Sequence, residues 1–378
     1  MKVLMTGTHF TPAQAVIENL NKNKNIEIVY LGRKKTFEGD QSISIESKVL
    51  PSLGVKYVNI TAGRFPRYLG LNFFLSILKI PIGFIQSFYF LLKEKPSIVV
   101  SFGGYVGLPV VISAWLLSIP ILVHEQTLKF GLANKISSFF ANKVAISFAN
   151  IKYRFINPEK MVVSGNPLRE ELFKKPTQVS KDILNFLGNK TKAKKPLVLI
   201  TGGNQGSHFI NRAVGEIIND LTEEAFVIHQ TGDSKYKDFE YLSSNLNLKN
   251  KDRYLIKKWI DVNNWTAILH EADLAISRGG ANTLSELAFF SVPTICIPLA
   301  SYLNHEQETN AKYFKEYGLL GILYQKDFDS KKLYSLAETI LGDLKTYKQK
   351  AKQTKNIIIL DASKKLTQEI LYLGEMNV

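Results

Sequence analysis

The stretch that decides the fold is Leu197-Val198-Leu199-Ile200-Thr201-Gly202-Gly203-Asn204-Gln205-Gly206-Ser207. It begins with a short apolar run, which is typical of a buried parallel strand, and its glycine-rich turn leads into a helical pattern. Such turns expose backbone N–H groups to anions at the carboxyl ends of strands. The spacing is neither the dinucleotide fingerprint nor a Walker loop, which disfavours nicotinamide and ATP. The sequence therefore predicts a phosphate-binding loop of another kind.

The same alternation of strand and helix extends through both halves of the chain. The predicted strands of the first half are 2–5, 26–31, 97–101, 119–124 and 143–147, and its predicted helices are 12–20, 107–117 and 131–140. The predicted strands of the second half are 197–200, 226–229, 254–256, 274–277 and 294–298. This pattern predicts an α/β fold of two Rossmann-like parallel-sheet domains with a cleft between them. A chain of 378 residues also exceeds what one core usually organises.

The boundary between the predicted domains lies near Gly165-Asn166-Pro167, and the lysine-rich segment 192–196 has the composition of a linker. We therefore expect an N-terminal domain over 1–164 and a C-terminal domain over 165–355.

Charge and cysteine content narrow the class of protein. A net charge of +15 indicates an anionic partner, which could be nucleic acid, a phosphate-bearing ligand or an anionic membrane. The single cysteine, Cys296, excludes an internal disulfide, and the N-terminus lacks the long apolar stretch of a secretory signal. These features predict a cytoplasmic protein. The lysines are scattered and no nucleic-acid-binding module is recognisable, so we expect no nucleic-acid partner.

The apolar segment 69–92, which begins at Leu69 and ends at Leu92, is long enough to cross a bilayer. Polar residues and Pro81 interrupt it, so we favour a surface that dips into anionic lipid over a transmembrane helix. Six aromatic residues and five nearby basic residues support that interpretation: Phe73, Phe74, Phe84, Phe88, Tyr89 and Phe90, with Arg64, Arg67, Lys79, Lys93 and Lys95. A pair of core helices is the alternative.

Three strand-to-helix junctions of the first half carry candidate site residues. They are Thr6-Gly7-Thr8-His9, Gly103-Gly104-Tyr105 and His124-Glu125-Gln126-Thr127 with Asn134 after it. His9 and Glu125 could exchange a proton with a substrate hydroxyl, although a histidine at a helix start is often only a cap. Position 128 is leucine, so the second histidine of a His-Glu-x-x-His zinc motif is missing and we expect no metal.

A further motif follows the predicted strand 274–277. It reads Arg278-Gly279-Gly280-Ala281-Asn282-Thr283-Leu284-Ser285-Glu286, with Gln307 downstream. A glycine-rich turn that enters a helix can receive a diphosphate on its N–H groups. One helical turn later, the carboxylate of Glu286 can accept hydrogen bonds from the vicinal hydroxyls of a ribose. A capped helix with a solvated glutamate is the structural alternative.

These motifs, in this order and spacing, resemble those of the MurG family in the GT-B superfamily. The family consists of inverting transferases that move N-acetylglucosamine from UDP to undecaprenyl-pyrophosphoryl-muramoyl-pentapeptide, known as lipid I, on the cytoplasmic face of the membrane. The resemblance spans about residues 2–313. It implies that a C-terminal helix, within about 356–378, returns to the first domain. UDP-N-acetylglucosamine would be a substrate, and no cofactor is implied.

The resemblance also implies roles for individual residues. In the donor site, the expected residues are Arg169, Gly202, Gly203, Asn204, Gln205, Gly206, Ile260, Arg278, Gly280, Ala281, Asn282, Thr283, Leu284, Ser285, Glu286 and Gln307. Those expected to receive the acceptor are Thr6, Gly7, Thr8, Gly103, Gly104, Tyr105, Thr127 and Asn134. His9 would be the general base, with Glu125 as the alternative.

The sequence departs from the family pattern at four positions. Met5 and Thr8 replace glycines of the first loop, Thr127 replaces an asparagine, and Asn204 replaces a serine. Three of these four changes, at Met5, Thr8 and Thr127, fall in the loops expected to receive the acceptor. Other interpretations are a GT-B lipid glycosyltransferase, such as a diacylglycerol glycosyltransferase, or a UDP-sugar 2-epimerase. A non-enzymatic nucleic-acid-binding protein is the candidate from a different class.

Overall fold

The computed structural model describes residues 1–34, 44–63, 71–149, 151, 153–300, 305–319 and 321–376. The chain forms two compact units: Met1–Arg169 with Ile359–Val378, and Glu170–Ile358. Each unit contains one parallel sheet, which confirms the predicted fold class of two parallel-sheet α/β domains. The segment 192–196 lies inside the second unit, so its interpretation as an interdomain linker was wrong.

The sheet of the first unit has seven strands in the order β3-β2-β1-β4-β5-β6-β7. They are β1 (Lys2–Gly7), β2 (Glu27–Gly32), β3 (Lys56–Asn59), β4 (Ile98–Phe102), β5 (Ile121–Glu125), β6 (Lys143–Ile146) and β7 (Met161–Val163). Every neighbouring pair is parallel, and Thr6 lies opposite both Leu31 and Ser101. This register aligns the carboxyl ends of the central strands, where the candidate loops begin.

Helices cover both faces of this sheet. They are α1 (Phe10–Leu20), α2 (Ile45–Val49), α3 (Leu71–Glu94), α4 (Gly107–Leu116) and α5 (Leu132–Phe140). Alternate residues of β1 enter opposite layers, because successive side chains of a strand point to opposite faces. Val3 packs in the core that contains residues of α1, whereas Leu4 packs in the core that contains residues of α4.

Residues 71–94 form one helix that passes through Pro81, so the interpretation as a pair of core helices was wrong. One stripe of α3 is buried, including Ser87 and Leu91, while Ile85 on the other side is 70% exposed. Leu69, Arg64 and Arg67 of the predicted membrane surface lie outside the described residues, as do the side chains of Phe73 and Phe74. In the part of the chain that the structure describes, no helix has the length and apolarity to cross a membrane.

The sheet of the second unit has five parallel strands in the order β10-β9-β8-β11-β12. They are β8 (Leu197–Thr201), β9 (Phe226–Gln230), β10 (Tyr254–Lys257), β11 (Leu274–Ser277) and β12 (Thr294–Cys296). The helices are α6 (Lys181–Ala193), α7 (His208–Glu224), α8 (Asp238–Asn245), α9 (Val262–Glu271), α10 (Ala281–Phe289), α11 (Glu306–Glu316), α12 (Ser330–Gly342) and α13 (Leu344–Lys352). The central strands are fully buried, which explains their continuous apolar runs.

The last helix, α14 (Ala362–Glu375), belongs to the first unit. Leu366 and Ile370 on α14 are fully buried in the same core as Val16 and Ile17 of α1. Asn19 of α1 also donates a side-chain hydrogen bond to the hydroxyl of Ser363, at 2.8 Å. Helix α14 therefore packs beside α1, on one face of the sheet that contains β1. Short 3-10 helices occupy Leu50–Leu53, Pro158–Lys160, Glu170–Phe173, Lys251–Arg253, Gln325–Asp327 and Gln353–Ile357.

Candidate functional site

In the first unit, the loop after β1 interlocks with the loop after β4. Gly7 has a φ of 137°, and a Cβ there would lie 2.7 Å from the carbonyl carbon of Phe102. The N–H of Thr8 donates to the carbonyl of Gly103 at 3.0 Å. A Cβ on Gly104 would collide with the Thr8 hydroxyl, so the glycine at 104 makes room for the threonine that replaces a family glycine.

Two residues of β1 just before this loop, Met5 and Thr6, point into the unit. Thr6 is fully buried, and its hydroxyl donates to the carbonyl of Leu31 at 2.9 Å. Met5 is also fully buried in the core beside the sheet. The side chains of Thr6 and Met5 therefore stabilise the end of β1, and the loop presents its backbone and Thr8 instead.

His9 directly precedes α1 and is half-buried. Burial lowers the pKa of His9 to about 4, and the positive charge of Arg33 contributes to the shift. The imidazole is therefore neutral near pH 7. A neutral imidazole can accept a proton, which is the chemical state that a general base requires.

Arg33 was not predicted from the sequence. It follows β2, and its Nε donates to Glu46 Oε1 at 3.0 Å. Its side chain is largely buried, and it forms a hydrogen bond with Tyr105, a predicted acceptor residue. Its position directly after a strand of a parallel sheet was the available signal, because that edge of the sheet collects functional groups.

Glu125 ends β5 and is buried with both carboxylate oxygens bonded. Oε1 accepts from the N–H of Thr127 at 3.0 Å and from its hydroxyl at 2.8 Å. Oε2 accepts from Asn134 Nδ2 at 2.9 Å and from the N–H of Gly131 at 3.4 Å. Burial raises the pKa of Glu125, and these hydrogen bonds oppose that shift. Asn134 also lies against Gly103, where an added Cβ would be 2.8 Å from Nδ2, so Asn134 connects Gly103 to this carboxylate.

His124, the residue before Glu125, is fully buried. Its Nε2 lies 3.2 Å from the carbonyl of Gly165, and burial lowers its pKa to about 4. Among the described residues, no group of three or more His, Cys, Asp or Glu side chains is arranged to hold a metal ion.

In the second unit, the loop after β8 forms a compact turn before α7. The N–H of Gly203 donates to the hydroxyl of Thr201, and the N–H of Gly206 donates to the carbonyl of Gly203, both at 3.0 Å. Gly203 and Gly206 have φ values of 81° and 73°, a region that favours glycine. Asn204 and Gln205 are exposed at the tip, so the asparagine in place of the family serine needs no space inside the loop.

Gln230, at the end of β9, connects this loop to Ile260. Its Nε2 donates to the carbonyl of Gly203 at 3.2 Å, and its Oε1 accepts from the N–H of Ile260 at 3.0 Å. Gln230 and Ile260 are 3% and 5% exposed. Ile260 was expected to contact uracil through its backbone. In this structure its N–H is bonded to Gln230, a residue that belongs to none of the motifs found in the sequence.

The second glycine-rich turn leads into α10 through Gly280. Leu284 and Ser285, expected at the donor site, are buried in the helix, so they contribute packing, whereas Asn282 and Thr283 are half-buried on its first turn. Glu286 is 4% exposed, and its Oε2 accepts from Trp265 Nε1 at 2.7 Å. The alternative interpretation, a capped helix with a solvated glutamate at position 286, is therefore wrong.

The start of α11 supports this second turn. Asn310 donates to the carbonyl of Gly279 at 3.0 Å, and a Cβ on Gly279 would collide with the carbonyl oxygen of Gln307. The side chain of Gln307 accepts from the N–H of Leu299 at 2.9 Å. Gln307 is therefore adjacent to the turn and is anchored there, and its contact with the donor sugar stays a prediction.

Arg278 is 8% exposed, so its guanidinium lies inside the unit. Its Nη1 donates to the carbonyl of Ile297 at 2.9 Å, and its guanidinium carbon lies 5.6 Å from the ring centroid of Phe209. Burial lowers its pKa to about 10, which leaves it charged at neutral pH. Arg169, the other predicted cation of the donor site, is half-buried at the last residue before the second unit.

Comparison with known proteins gives the family and the fold of this chain. Residues 4–146 match the model of the "Glycosyltransferase family 28 N-terminal domain", and residues 197–369 match that of the "Glycosyltransferase family 28 C-terminal domain". The structure is similar to the crystal structure of Acinetobacter baumannii MurG, with a TM-score of 0.68, 22% identity, and coverage of 98% of this chain and 99% of that chain. A putative UDP-N-acetylglucosamine 2-epimerase from Listeria monocytogenes gives a TM-score of 0.72 at 13% identity, covering 99% and 97% of the two chains, which shows a shared fold alone.

The fold and these matches define a glycosyltransferase of family 28 with the GT-B architecture. A curated relative from Caldicellulosiruptor saccharolyticus is 33% identical over 355 residues, which cover 93% of this chain and 91% of the relative. That relative is named "UDP-N-acetylglucosamine--N-acetylmuramyl-(pentapeptide) pyrophosphoryl-undecaprenol N-acetylglucosamine transferase". This chain belongs to the same family, the MurG family, as its motifs predicted.

Gly203 and Gly206, which both have a positive φ in the loop after β8, allow a matched test. We expect Gly206→Ala to lower the free energy of unfolding by about 1–3 kcal/mol more than Gly203→Ala. Both alanines have an unfavourable φ, but only the Cβ at 206 would overlap the carbonyl oxygen of Thr231, whereas at 203 no atom lies within 4 Å. Urea denaturation measures the difference, and equal losses would contradict this account of the loop.

Proposed function

We propose that this chain transfers N-acetylglucosamine from UDP-N-acetylglucosamine to undecaprenyl-pyrophosphoryl-N-acetylmuramoyl-pentapeptide, which converts lipid I to lipid II. The observation that carries the proposal is the pair of glycine-rich turns at the carboxyl ends of β8 and β11, beside the buried carboxylate of Glu286. Membership of a family whose curated members carry this activity in their name supports the choice of substrates.

The turns bind the donor diphosphate through backbone N–H groups at the start of α7 and α10. A helix N-terminus carries a partial positive charge, so both helices stabilise the charge that develops on UDP as it leaves. Glu286 accepts hydrogen bonds from the ribose hydroxyls, and the backbone of Ile260 contacts uracil. For the Ile260 N–H to bond to uracil, Gln230 must release it, because Gln230 Oε1 occupies that position.

Further donor contacts come from Gln307, which meets the sugar, and from Arg169, which meets the donor phosphates. Arg278 is buried and acts through its positive charge behind the second turn. The loops around Gly103 and Gly104, with Thr8 and Tyr105, receive the acceptor.

The reaction is a single displacement. The C4 hydroxyl oxygen of the acceptor forms a bond to the anomeric carbon, the bond from that carbon to the UDP oxygen breaks, and the α-linkage becomes β. His9 accepts the hydroxyl proton. With a pKa of about 4, His9 is a weak base, so it takes the proton late, once the new C–O bond has made the attacking oxygen acidic. Both reacting groups come from the substrates, so the proposed reaction uses no cofactor.

Glu125 has a different role in this proposal. Its carboxylate accepts four hydrogen bonds from the segment between Thr127 and Asn134, and these bonds occupy both oxygens. We propose that Glu125 holds the acceptor loop in its conformation, because Asn134 lies between Glu125 and Gly103.

The activity is tested by measuring UDP release from UDP-N-acetylglucosamine with a soluble lipid I analogue. We expect turnover with lipid I and none with diacylglycerol. Turnover with diacylglycerol alone would indicate a different lipid glycosyltransferase, and formation of the 2-epimer without an acceptor would indicate an epimerase. Either result would overturn the proposal.

The role of His9 is tested by substitution. We expect His9→Ala to lower turnover about 10²–10⁴-fold while UDP affinity stays nearly unchanged, because the residue serves the proton transfer alone. His270→Ala, at an exposed position of the second unit, is the control. Since the pKa of His9 lies near 4, the wild-type rate that depends on this residue should not fall between pH 8 and pH 6. Normal turnover of His9→Ala, with a large loss in Glu125→Gln, would make Glu125 the base.

The exposed side of α3 supports binding to an anionic membrane, where the lipid-linked acceptor resides. Ile85, Tyr89 and Leu92 are 70%, 55% and 52% exposed and share one side of the helix. Lys93 and Lys95 are exposed at its end. An apolar face with basic neighbours suits the headgroup region of anionic lipid. In this proposal the protein binds the membrane peripherally through α3. We further propose that it does so at the cytoplasmic face and that it has no nucleic-acid partner, because its lysines are scattered over the chain.

Membrane binding is tested by sedimentation with vesicles that contain phosphatidylglycerol. We expect Ile85→Glu to weaken binding about tenfold, because the substitution removes the burial of one large apolar side chain. Leu184→Glu is the matched control, since Leu184 is 53% exposed on α6 of the second unit. Equal binding by the two variants would rule out α3 as the membrane surface.

A further inference from the structure

The hydrogen bond from Trp265 to Glu286 links two helices of the second unit. Trp265 lies on α9 and Glu286 on α10, and their side chains are buried at 6% and 4% exposure. The distance from Nε1 to Oε2 is 2.7 Å, which is short for an N–H donor and typical of a bond to a charged acceptor.

The chemistry of the indole makes this bond directional. An indole N–H can only donate, and its ring cannot turn within a packed interior to offer another atom. The bond therefore fixes which carboxylate oxygen faces Trp265, and with it the rotation of the carboxylate plane. A buried carboxylate also needs such donors, because burial without hydrogen bonds is costly.

The backbone before Trp265 is fixed as well. The carboxylate of Asp261 caps α9 by accepting from the N–H groups of Asn263 and Asn264, at 3.0 and 3.1 Å. Ile260, one residue earlier, is tied to Gln230. Ile260 is proposed to contact the nucleobase. The chain continues from it into the first turn of α9, where Trp265 donates the hydrogen bond that orients Glu286.

We propose that Trp265 is a positioning residue that sets the Glu286 carboxylate for the ribose and so gives the donor site its preference for ribonucleotides. The inference rests on the proposed role of Glu286 in binding the ribose hydroxyls. With Oε2 fixed by the indole, the carboxylate meets the diol in one orientation. Without that bond Oε2 loses its donor from α9, and we expect part of the hydrogen bonding to the 2′-hydroxyl to be lost.

The test compares UDP with 2′-deoxy-UDP by calorimetry on the full chain. Trp265→Phe keeps a buried aromatic ring and removes the N–H donor. We expect it to weaken UDP binding about tenfold and 2′-deoxy-UDP binding less than twofold, since the loss of one hydrogen bond to a charged group is of that size. Trp115→Phe, at a position 52% exposed in the first unit, should leave both affinities unchanged. Equal weakening of both ligands by Trp265→Phe would show a purely structural role and overturn the inference.

The variant Glu286→Gln separates this inference from the proposed function. If Glu286→Gln loses the preference for UDP while Trp265→Phe retains it, Glu286 binds the ribose without help from Trp265 and the inference fails alone. If Glu286→Gln binds both ligands as the wild type does, the proposed ribose contact fails first.

A second measurement covers the case in which Trp265→Phe does not fold. The chain has three tryptophans, so replacing Trp115 and Trp259 with phenylalanine leaves Trp265 as the only indole. Both replaced residues are exposed, at 52% and 45%. We expect UDP to change the emission of Trp265 and 2′-deoxy-UDP to change it at most half as much. Identical changes with both ligands would overturn the inference.

Discussion

The parallel register of β8 with β9 and β11 is the constraint on which the second unit depends. Thr201 lies opposite both Gln230 and Ser277, so the three strands end at one edge of the sheet. Because parallel strands share a direction, the segments that follow them must lie close together there. Gln230 uses this proximity when it bonds to Gly203 and Ile260 at once. A shift of register by one residue would turn Gln230 to the other face of the sheet.

Each unit contains a buried carboxylate that accepts hydrogen bonds from the residues around it. Glu125 is bonded by a nearby loop, through Thr127, Gly131 and Asn134, whereas Glu286 is bonded by Trp265 on a neighbouring helix. The bonds from the nearby loop engage both carboxylate oxygens of Glu125, and they hold that loop in one conformation. The indole N–H of Trp265 donates to Oε2 of Glu286 from another helix and so orients the carboxylate. The proposed mechanism assigns Glu125 to loop shape because one nearby loop binds both of its oxygens, and it assigns Glu286 to ligand contact because Glu286 lies on the helix that the second glycine-rich turn enters.

The sequence allowed prediction of the elements whose signal is local. The central strands were found because burial on both faces requires a continuous apolar run. β3 was missed because it is short and only partly buried, and α6 was missed because its lysines resemble a linker. The motifs were found through their glycines. Gln230 and Trp265 were missed because their partners lie 30 and 21 residues away, and only the packed fold brings these residues together.

Arg278 is a buried cation next to the turn that is proposed to bind the donor diphosphate. In the described part of the chain, no carboxylate pairs with it, and its neighbours are the carbonyl of Ile297 and the ring of Phe209. A buried charge without a counterion is costly. The residue directly precedes the turn that enters α10, whose N-terminus is also electropositive. A bound diphosphate would supply the missing negative charge, so the energy that burial costs the free protein is recovered when the proposed donor binds.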